Sequence, residues 1–312
     1  MSKPGFPVLG ADEVAQLSVG IDVASALREA FAGLASGRSH QPAQTIVEFG
    51  DGADAIVYPA AVENLGVVSV KLSPYLPART PPVTAWTLLL STETGEPVLL
   101  CDSAALTAER TAGTTALAVD HLAPATASVL AVVGSGPLAA AHLRHVVPLR
   151  TFDAVRVYSP SASLGDEDSR ARMSAAAHRV EFSPTVEEAV TGADIVLLCT
   201  SSGTPVLETA ATEQDALITS ISTNKPRAHE IAPRALATLA VYCDYRATAP
   251  LAAGEMLIAN EEGVWSPTDI VADLPELVSG AAPPRPDGRA YFRSIGMGIE
   301  DAAVAVALLH AA

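Results

Sequence analysis

Residues Ala127–Leu143 read ASVLAVVGSGPLAAAHL. Val129–Val133 is an apolar β-type run, Gly134-Ser135-Gly136 is a tight turn, and Pro137 opens a helix whose Ala139, Ala140 and Ala141 keep its surface small. A strand, a glycine turn and a helix N-terminus in that order make a pyrophosphate cradle. Gly134 permits the turn, Gly136 lets the backbone approach the phosphates, and a small residue at 139 lets the helix pack on its strand. The unpaired N–H groups and partial positive charge of the helix start complete an anion site. Gly134, Ser135, Gly136, Pro137 and Leu138 are therefore candidate nucleotide contacts. Glycine turns also join strands to helices that bind nothing, so the flanking pattern has to carry the reading.

That pattern is an alternation. AVRVYS (154–159), HRVEF, DIVLLCT (194–200), ALITSIS (216–222) and LAVYCDY (239–245) read as strands, with RARMSAAA and TVEEAVTGA as helices between them. Such alternation predicts an α/β fold with a doubly wound parallel sheet and right-handed crossovers. Ligands of these sheets sit beyond the carboxyl ends of the strands. There the chain carries Ser159 and Ser161, then Thr200, Ser201 and Ser202, then Ser222 followed by Thr223 and Asn224. The same residue types are ordinary turn formers. An NAD site places an acid at the end of the second strand, about 20 residues past the glycine turn. Here the first acid is Asp166, and small hydroxyls leave room for a 2′-phosphate. The residues favour NADP(H), with NAD(H) as the alternative. No Arg adjoins the strand end, although Arg170 could reach back.

Upstream the chain looks different. Residues 11–36 read as amphipathic helix, and 44–99 hold short β runs separated by turns, which predicts a mostly antiparallel or mixed sheet. Residues 104–121 read as a long helix leading out of this region. The closing stretch 290–312 reads as strand, glycine turn and apolar helix, and SGAAPPRPDG (279–288) is the most linker-like segment.

A chain of 312 residues can hold two cores. With 49% hydrophobic residues its composition is soluble and globular, and no apolar run reaches the roughly 18 residues of a membrane span. The first residues lack a signal-peptide core, so a cytoplasmic protein is expected. A net charge of −16 disfavours nucleic acid and anionic membranes as partners. Cys101, Cys199 and Cys243 stand far apart with no C-x-x-C spacing, which predicts buried reduced thiols and no zinc site. The histidines show no metal spacing: His142 and His145 lack a third ligand, and His229 is of interest only for its place near the expected crevice. No G-x-S-x-G elbow supports a serine nucleophile.

Two cations remain. Lys71 ends an apolar run in GVVSVKLSPYLP. It is either an edge charge facing solvent or a partly buried ammonium that binds a carboxylate or moves a proton, work to which desolvation suits a lysine. Arg110, in LTAERTAGTTALA, has small and apolar neighbours. It either pairs with a helix neighbour or holds a carboxylate bidentately.

Lys71, TGEPVLLCDSAALTAERTAG, VVGSGPLAAAHL and the closing FRSIGMGIEDAAVA together resemble the ornithine cyclodeaminase/mu-crystallin family, from about residue 40 to the end. The resemblance implies a homodimer. It also implies a smaller α+β substrate-binding and dimerisation domain of residues 1–120 and 293–312, with a Rossmann domain of residues 121–292 inserted. It implies that Lys71 and Arg110 handle the substrate carboxylate and a proton, and that Ile295 and Gly296 close over the nicotinamide, Gly296 on the substrate side. Two positions depart from the family pattern. A carboxylate-binding Arg of the cyclodeaminases is Gln44 here, and their catalytic Asp is Asn224, six residues before Glu230. An amide cannot serve as general base. Hydrolytic removal of ammonia would lose its carboxylate, whereas reduction of a preformed C=N needs only a hydride, a carboxylate clamp and one proton donor. The expected activity is therefore NAD(P)H-dependent reduction of an α-imino acid, a cyclic ketimine such as Δ1-pyrroline-2-carboxylate giving proline. The alternatives are an amino-acid dehydrogenase, a true cyclodeaminase, and a non-catalytic NADP-dependent binder of the mu-crystallin kind.

Overall fold

The computed structural model describes residues 5–50, 52–163, 165–222 and 227–312. It divides into two compact units. One extends to Arg110 and takes up Gly296–Ala312; the other is Thr111–Ile295. The divide thus falls inside the helix Ala104–Leu122 and at Ile295/Gly296, against the 120 and 293 read from sequence. The second half of that helix belongs to the second unit, where Thr115 Oγ1 lies 3.0 Å from His142 Nε2.

The first unit is built on a seven-stranded sheet of β1 (Val8–Leu9), β2 (Ser39–His40), β3 (Thr45–Phe49), β4 (Ala53–Val62), β5 (Val67–Tyr75), β6 (Trp86–Ser91) and β7 (Pro97–Asp102). The order is β1-β7-β6-β5-β4-β2, with β3 also on β4. All pairs are antiparallel except β1 with β7, so the sheet is mixed. The helices Val23–Ala35 and Gly298–Ala311 pack together, and the second lies on β4 to β7. The stretch read as helix over 11–36 forms two, Ala11–Ser18 and Val23–Ala35, because Asp22 caps a new start by accepting from Ser25 N at 2.9 Å. Alternation along β5 and β6 sends Val67, Ser69, Lys71, Thr87 and Leu89 under the helices. The opposite face carries Val68, Leu72 and Trp86, which stay 43%, 45% and 39% exposed.

The second unit holds an eight-stranded sheet, parallel throughout. Its strands are β8 (Val129–Val133), β9 (Ala154–Tyr158), β10 (Val180–Phe182), β11 (Ile195–Leu198), β12 (Leu217–Ser220), β13 (Ala240–Cys243), β14 (Ile270–Asp273) and β15 (Ala290–Arg293). The order is β10-β9-β8-β11-β12-β15-β13-β14. β8 has β9 on one side and β11 on the other, so the direction of winding reverses there, where doubly wound sheets bind their ligands. β11 and β12 are buried at every position, as central parallel strands covered on both faces should be. The linker-like segment 279–288 is anchored: Arg285 donates to the carbonyls of Leu122, Asp215 and Gly288. Among the described residues no helix is long and apolar enough to cross a membrane.

Candidate functional site

In the second unit, the turn after β8 has the backbone its glycines were expected to serve. Gly134 sits at φ +128°, and a Cβ there would strike the Cys199 carbonyl, 2.9 Å from its carbon. Gly136 is the N-cap of the helix Pro137–Val146; no side chain caps it, and a Cβ built on it meets nothing within 4 Å. That open space belongs to a cavity of about 760 Å³ lined by Gly134, Ser135, Gly136, Pro137, Leu138, Ser159, Ser161, Thr200, Ser201 and Ser202. The ends of β8, β9 and β11 thus bring these ten expected contacts together. An uncapped helix start opening on a roomy cavity, mostly apolar with hydroxyls from Ser135, Ser159, Ser161 and Thr200, fits a dinucleotide pyrophosphate.

Two more expected contacts stand beside this group. Ser222 is not in the cavity lining, but its Oγ donates to Ser202 O at 2.8 Å. Ile295 is buried, its N–H donating to Asp244 Oδ2 at 2.6 Å. The residue that ties the strand ends together is Glu230, fully buried. It accepts from Thr200 N and Oγ1 at 2.8 and 2.7 Å, Ser220 Oγ at 2.7 Å, and the N–H groups of Ile221 and Ser222, both at 3.1 Å. At the far end of β9, Ser159 Oγ donates to Ser135 Oγ at 2.7 Å, and Ser161 Oγ lies 3.2 Å from Ser135 Oγ. Arg172 Nη1 donates to Ser135 O at 3.0 Å. Arg170 instead donates to Ala162 O and lies over the Phe182 ring. Among the described residues no group of His, Cys, Asp and Glu could hold a metal ion. His142 is buried, with Nδ1 2.8 Å from Leu138 O. His229 Nδ1 lies 2.8 Å from Arg227 O.

In the first unit, Tyr58, Lys71, Thr87 and Cys101 are paired in register on β4, β5, β6 and β7, so they form one row across the helix-covered face. Lys71 is 1% exposed, which settles the choice between edge charge and buried ammonium. Its Nζ lies 2.8 Å from Asp301 and 3.5 Å from Thr107 Oγ1, and 4.2 Å from the centre of the Tyr58 ring. Arg110 is buried beside it, donating through Nη1 to Glu300 Oε2 at 2.7 Å and through Nε to Asp301 Oδ1 at 3.1 Å. Its partners come from the far end of the chain: Glu300 and Asp301 occupy the first turn of Gly298–Ala311, where the helix dipole favours carboxylates. Gly296, at φ +77°, lies against the guanidinium; a Cβ there would be 2.9 Å from Nη2 and 3.0 Å from Cζ of Arg110. Gln44 directly precedes β3 and its Oε1 is buried with no hydrogen-bond partner among the described residues. Asn224 and Thr223 lie outside the described residues.

Two cations and two carboxylates share this buried cluster, so each charge is compensated. Burial pulls the Lys71 ammonium down to about 8, against the pull of Asp301. Burial also opposes the Arg110 charge, but Asp301 and Glu300 outweigh it and hold the guanidinium above its ordinary range. Burial pushes Tyr58 up to about 12 and Cys101 up to about 11, so both stay neutral near pH 7.

The sequence profile of the ornithine cyclodeaminase/mu-crystallin family matches residues 7–311. The chain belongs to this family. It is 52% identical over 300 residues to the NAD(P)H-dependent anabolic L-arginine dehydrogenase DauB of Pseudomonas aeruginosa, covering 95% of this chain and 94% of that one. In fold it superposes on the Thermococcus litoralis Δ1-pyrroline-2-carboxylate reductase, solved with NADH and L-proline, with a TM-score of 0.89 at 24% identity, covering 97% and 96% of the two chains. An archaeal alanine dehydrogenase dimer with bound NAD gives 0.88 at 25% identity, covering 98% and 95%.

The resemblance singled out Lys71 and Arg110, which the structure brings into one buried cluster, and left out what surrounds them. Glu300 and Asp301 stood in the quoted closing motif, but nothing local marks them as partners of residues about 190 and 230 positions away. Tyr58 carries no local signal, and its register with Lys71 brings it to the cluster. Glu230 served only as a landmark for counting back to Asn224.

Proposed function

We propose that the protein reduces the C=N of an α-imino acid, and that its substrate is the open-chain imino acid formed by ammonia and a 2-oxo acid of the L-arginine class. It is an NAD(P)-dependent oxidoreductase. The observation that carries the chemistry is the buried Lys71–Asp301–Arg110–Glu300 cluster. The substrate class is supported by the 52% identity to an enzyme named as an anabolic L-arginine dehydrogenase. The expectation of a cyclic ketimine thus becomes the second reading, since the same clamp and proton donor serve a ring C=N.

When bound, the reduced nicotinamide supplies the hydride that the α-carbon receives. Arg110 orients the substrate carboxylate: a guanidinium carries five donors, so it can hold a second acid while Glu300 and Asp301 fix its plane. Lys71 contributes a second positive contact and the proton for the imine nitrogen. With a pKa of about 8 it is a far better acid near neutrality than an ordinary lysine. Gln44 offers a neutral amide where the cyclodeaminases have an Arg, which suits a weaker contact to the substrate. Burial of the whole row excludes water and strengthens each contact.

NADP(H) is proposed over NAD(H). This is supported by the Ser135–Ser159–Ser161 hydroxyls, the absence of an acid among the residues lining this end of the cavity, and Arg172 at the Ser135 carbonyl. Ser159→Asp should reverse the preference by placing a carboxylate at the ribose. The protein is proposed to act as a homodimer through the sheet face of Val68, Leu72 and Trp86, an apolar surface of the kind subunits cover. The assay is oxidation of NADPH and of NADH with 2-oxo-5-guanidinopentanoate plus ammonia, with pyruvate plus ammonia, and with Δ1-pyrroline-2-carboxylate. Turnover is expected with the guanidino acid. Turnover with the cyclic imine alone would establish the second reading, and none with any of them would refute both.

A further inference from the structure

We propose that Asp301 is a positioning residue of the reduction: by bridging Lys71 and Arg110 it keeps Nζ of Lys71 protonated and fixes the place from which that proton reaches the imine nitrogen. The inference rests on the reading of Lys71 as the donor. One carboxylate meets both cations, since Asp301 Oδ1 receives Lys71 Nζ at 2.8 Å and Arg110 Nε at 3.1 Å. Arg110 therefore locates Asp301, and Asp301 locates Lys71.

The groups that face Lys71 come from four elements besides its own. The closing helix brings Glu300 and Asp301, the helix Ala104–Leu122 brings Arg110 and the Thr107 hydroxyl, β4 brings Tyr58, and β6 brings Thr87, with Cys101 of β7 one strand further along the row. Tyr58 and Cys101 are neutral near pH 7. Arg110 repels the ammonium, and Glu300 sits on the Nη1 side of that guanidinium, 2.7 Å away. Asp301 is the carboxylate in contact with Nζ, so it is the group that holds a proton there against burial. Without it the buried amine is neutral and becomes a base.

A bound reduced nicotinamide would supply the hydride for the α-carbon, and the C=N π pair would move to nitrogen. The Nζ proton passes to that nitrogen, and Lys71 stays neutral until solvent returns a proton. Asp301 never touches the reacting atoms.

The test is the pH profile of kcat and kcat/KM in wild type, Asp301→Asn, Asp301→Glu and Lys71→Ala, with NAD(P)H binding by fluorescence as the check on folding. Wild type should lose rate as pH rises through about 8. Asp301→Asn should bind cofactor normally and move that alkaline limb down by at least about one pH unit, the effect of losing an adjacent opposite charge. Asp301→Glu keeps the charge but displaces the amine, so its limb should stay near wild type while kcat falls at least about tenfold. An unmoved limb in Asp301→Asn with an inactive Lys71→Ala overturns the role of Asp301 and leaves that of Lys71 standing. Wild-type turnover in Lys71→Ala overturns the donor itself. If Asp301→Asn fails to bind cofactor, an Asp301→Glu protein with both wild-type kcat and wild-type limb overturns the proposal.

Discussion

Replacing Gly296 by Ala probes the cluster without touching a charge. The residue sits at φ +77°, where a side chain costs about 1–2 kcal/mol in backbone strain. The new methyl would lie 2.9 Å from Nη2 and 3.0 Å from Cζ of Arg110 and inside contact with Nη1. The guanidinium is the far end of a flexible side chain, but Glu300 and Asp301 hold it and it has no solvent to retreat into. If it yields, one charge-assisted hydrogen bond is stretched or lost, worth about 1.5–3 kcal/mol. The expected destabilisation is therefore about 2.5–5 kcal/mol, read as a fall in the urea midpoint at unchanged slope. A displacement near 1 Å of the carboxylate-orienting group should lower kcat/KM by about 10²-fold. NAD(P)H affinity should hold, because every residue lining the cofactor cavity belongs to the other unit. A variant with kcat/KM within about twofold of wild type and an unshifted urea midpoint would show that Gly296 does not hold Arg110 in place.

Gly136→Ala should fold as well as wild type, since its Cβ meets no atom within 4 Å, yet raise KM for NAD(P)H by about tenfold or more by filling the cradle; an unchanged KM would remove the phosphates from this turn. Glu230→Gln replaces one of two acceptor oxygens by an NH2 donor, leaving either the N–H of residue 200 or those of residues 221 and 222 unmatched. Thermal or urea unfolding should show a loss of about 1–3 kcal/mol per unmatched group, and equal stability would count against that account. The thiols of Cys101, Cys199 and Cys243 are buried, and burial raises the pKa of each. A thiol reagent at neutral pH should find neither Cys101 nor Cys243 until the protein is denatured, and prompt labelling of either in the native protein would contradict its burial.

What the sequence disclosed followed how local the cause was. Gly134 is forced by its own turn and Gly136 opens on free space, so a strand, two glycines and an alanine run were enough to mark the turn that lines the cavity. The uninterrupted apolar run of β11 announced a buried parallel strand, while β12, LITS, buries Thr219 and Ser220 as well. β14 went unseen, because IVAD holds three apolar residues in a row between Asp269 and Asp273. The insertion of β15 between β12 and β13 is likewise a long-range choice that no window of sequence contains. At the cluster, Lys71 betrayed itself as a charge in an apolar run. Asp301 did not, because acids in the first turn of a helix are common on dipole grounds alone.

The order in which the strands are joined bears on how the protein is made. β15 is translated after the other strands of its sheet yet stands inside it, and Gly298–Ala311 follows it while covering β4 to β7 of the first sheet. During synthesis both sheets must therefore wait: one has β12 and β13 without the strand that joins them, the other has a buried lysine row without its lid. Many chains settle their N-terminal domain while the remainder is still on the ribosome. Here completion of both units is delayed to the same final stretch, so a stop codon before residue 290 should forfeit the first unit along with the second.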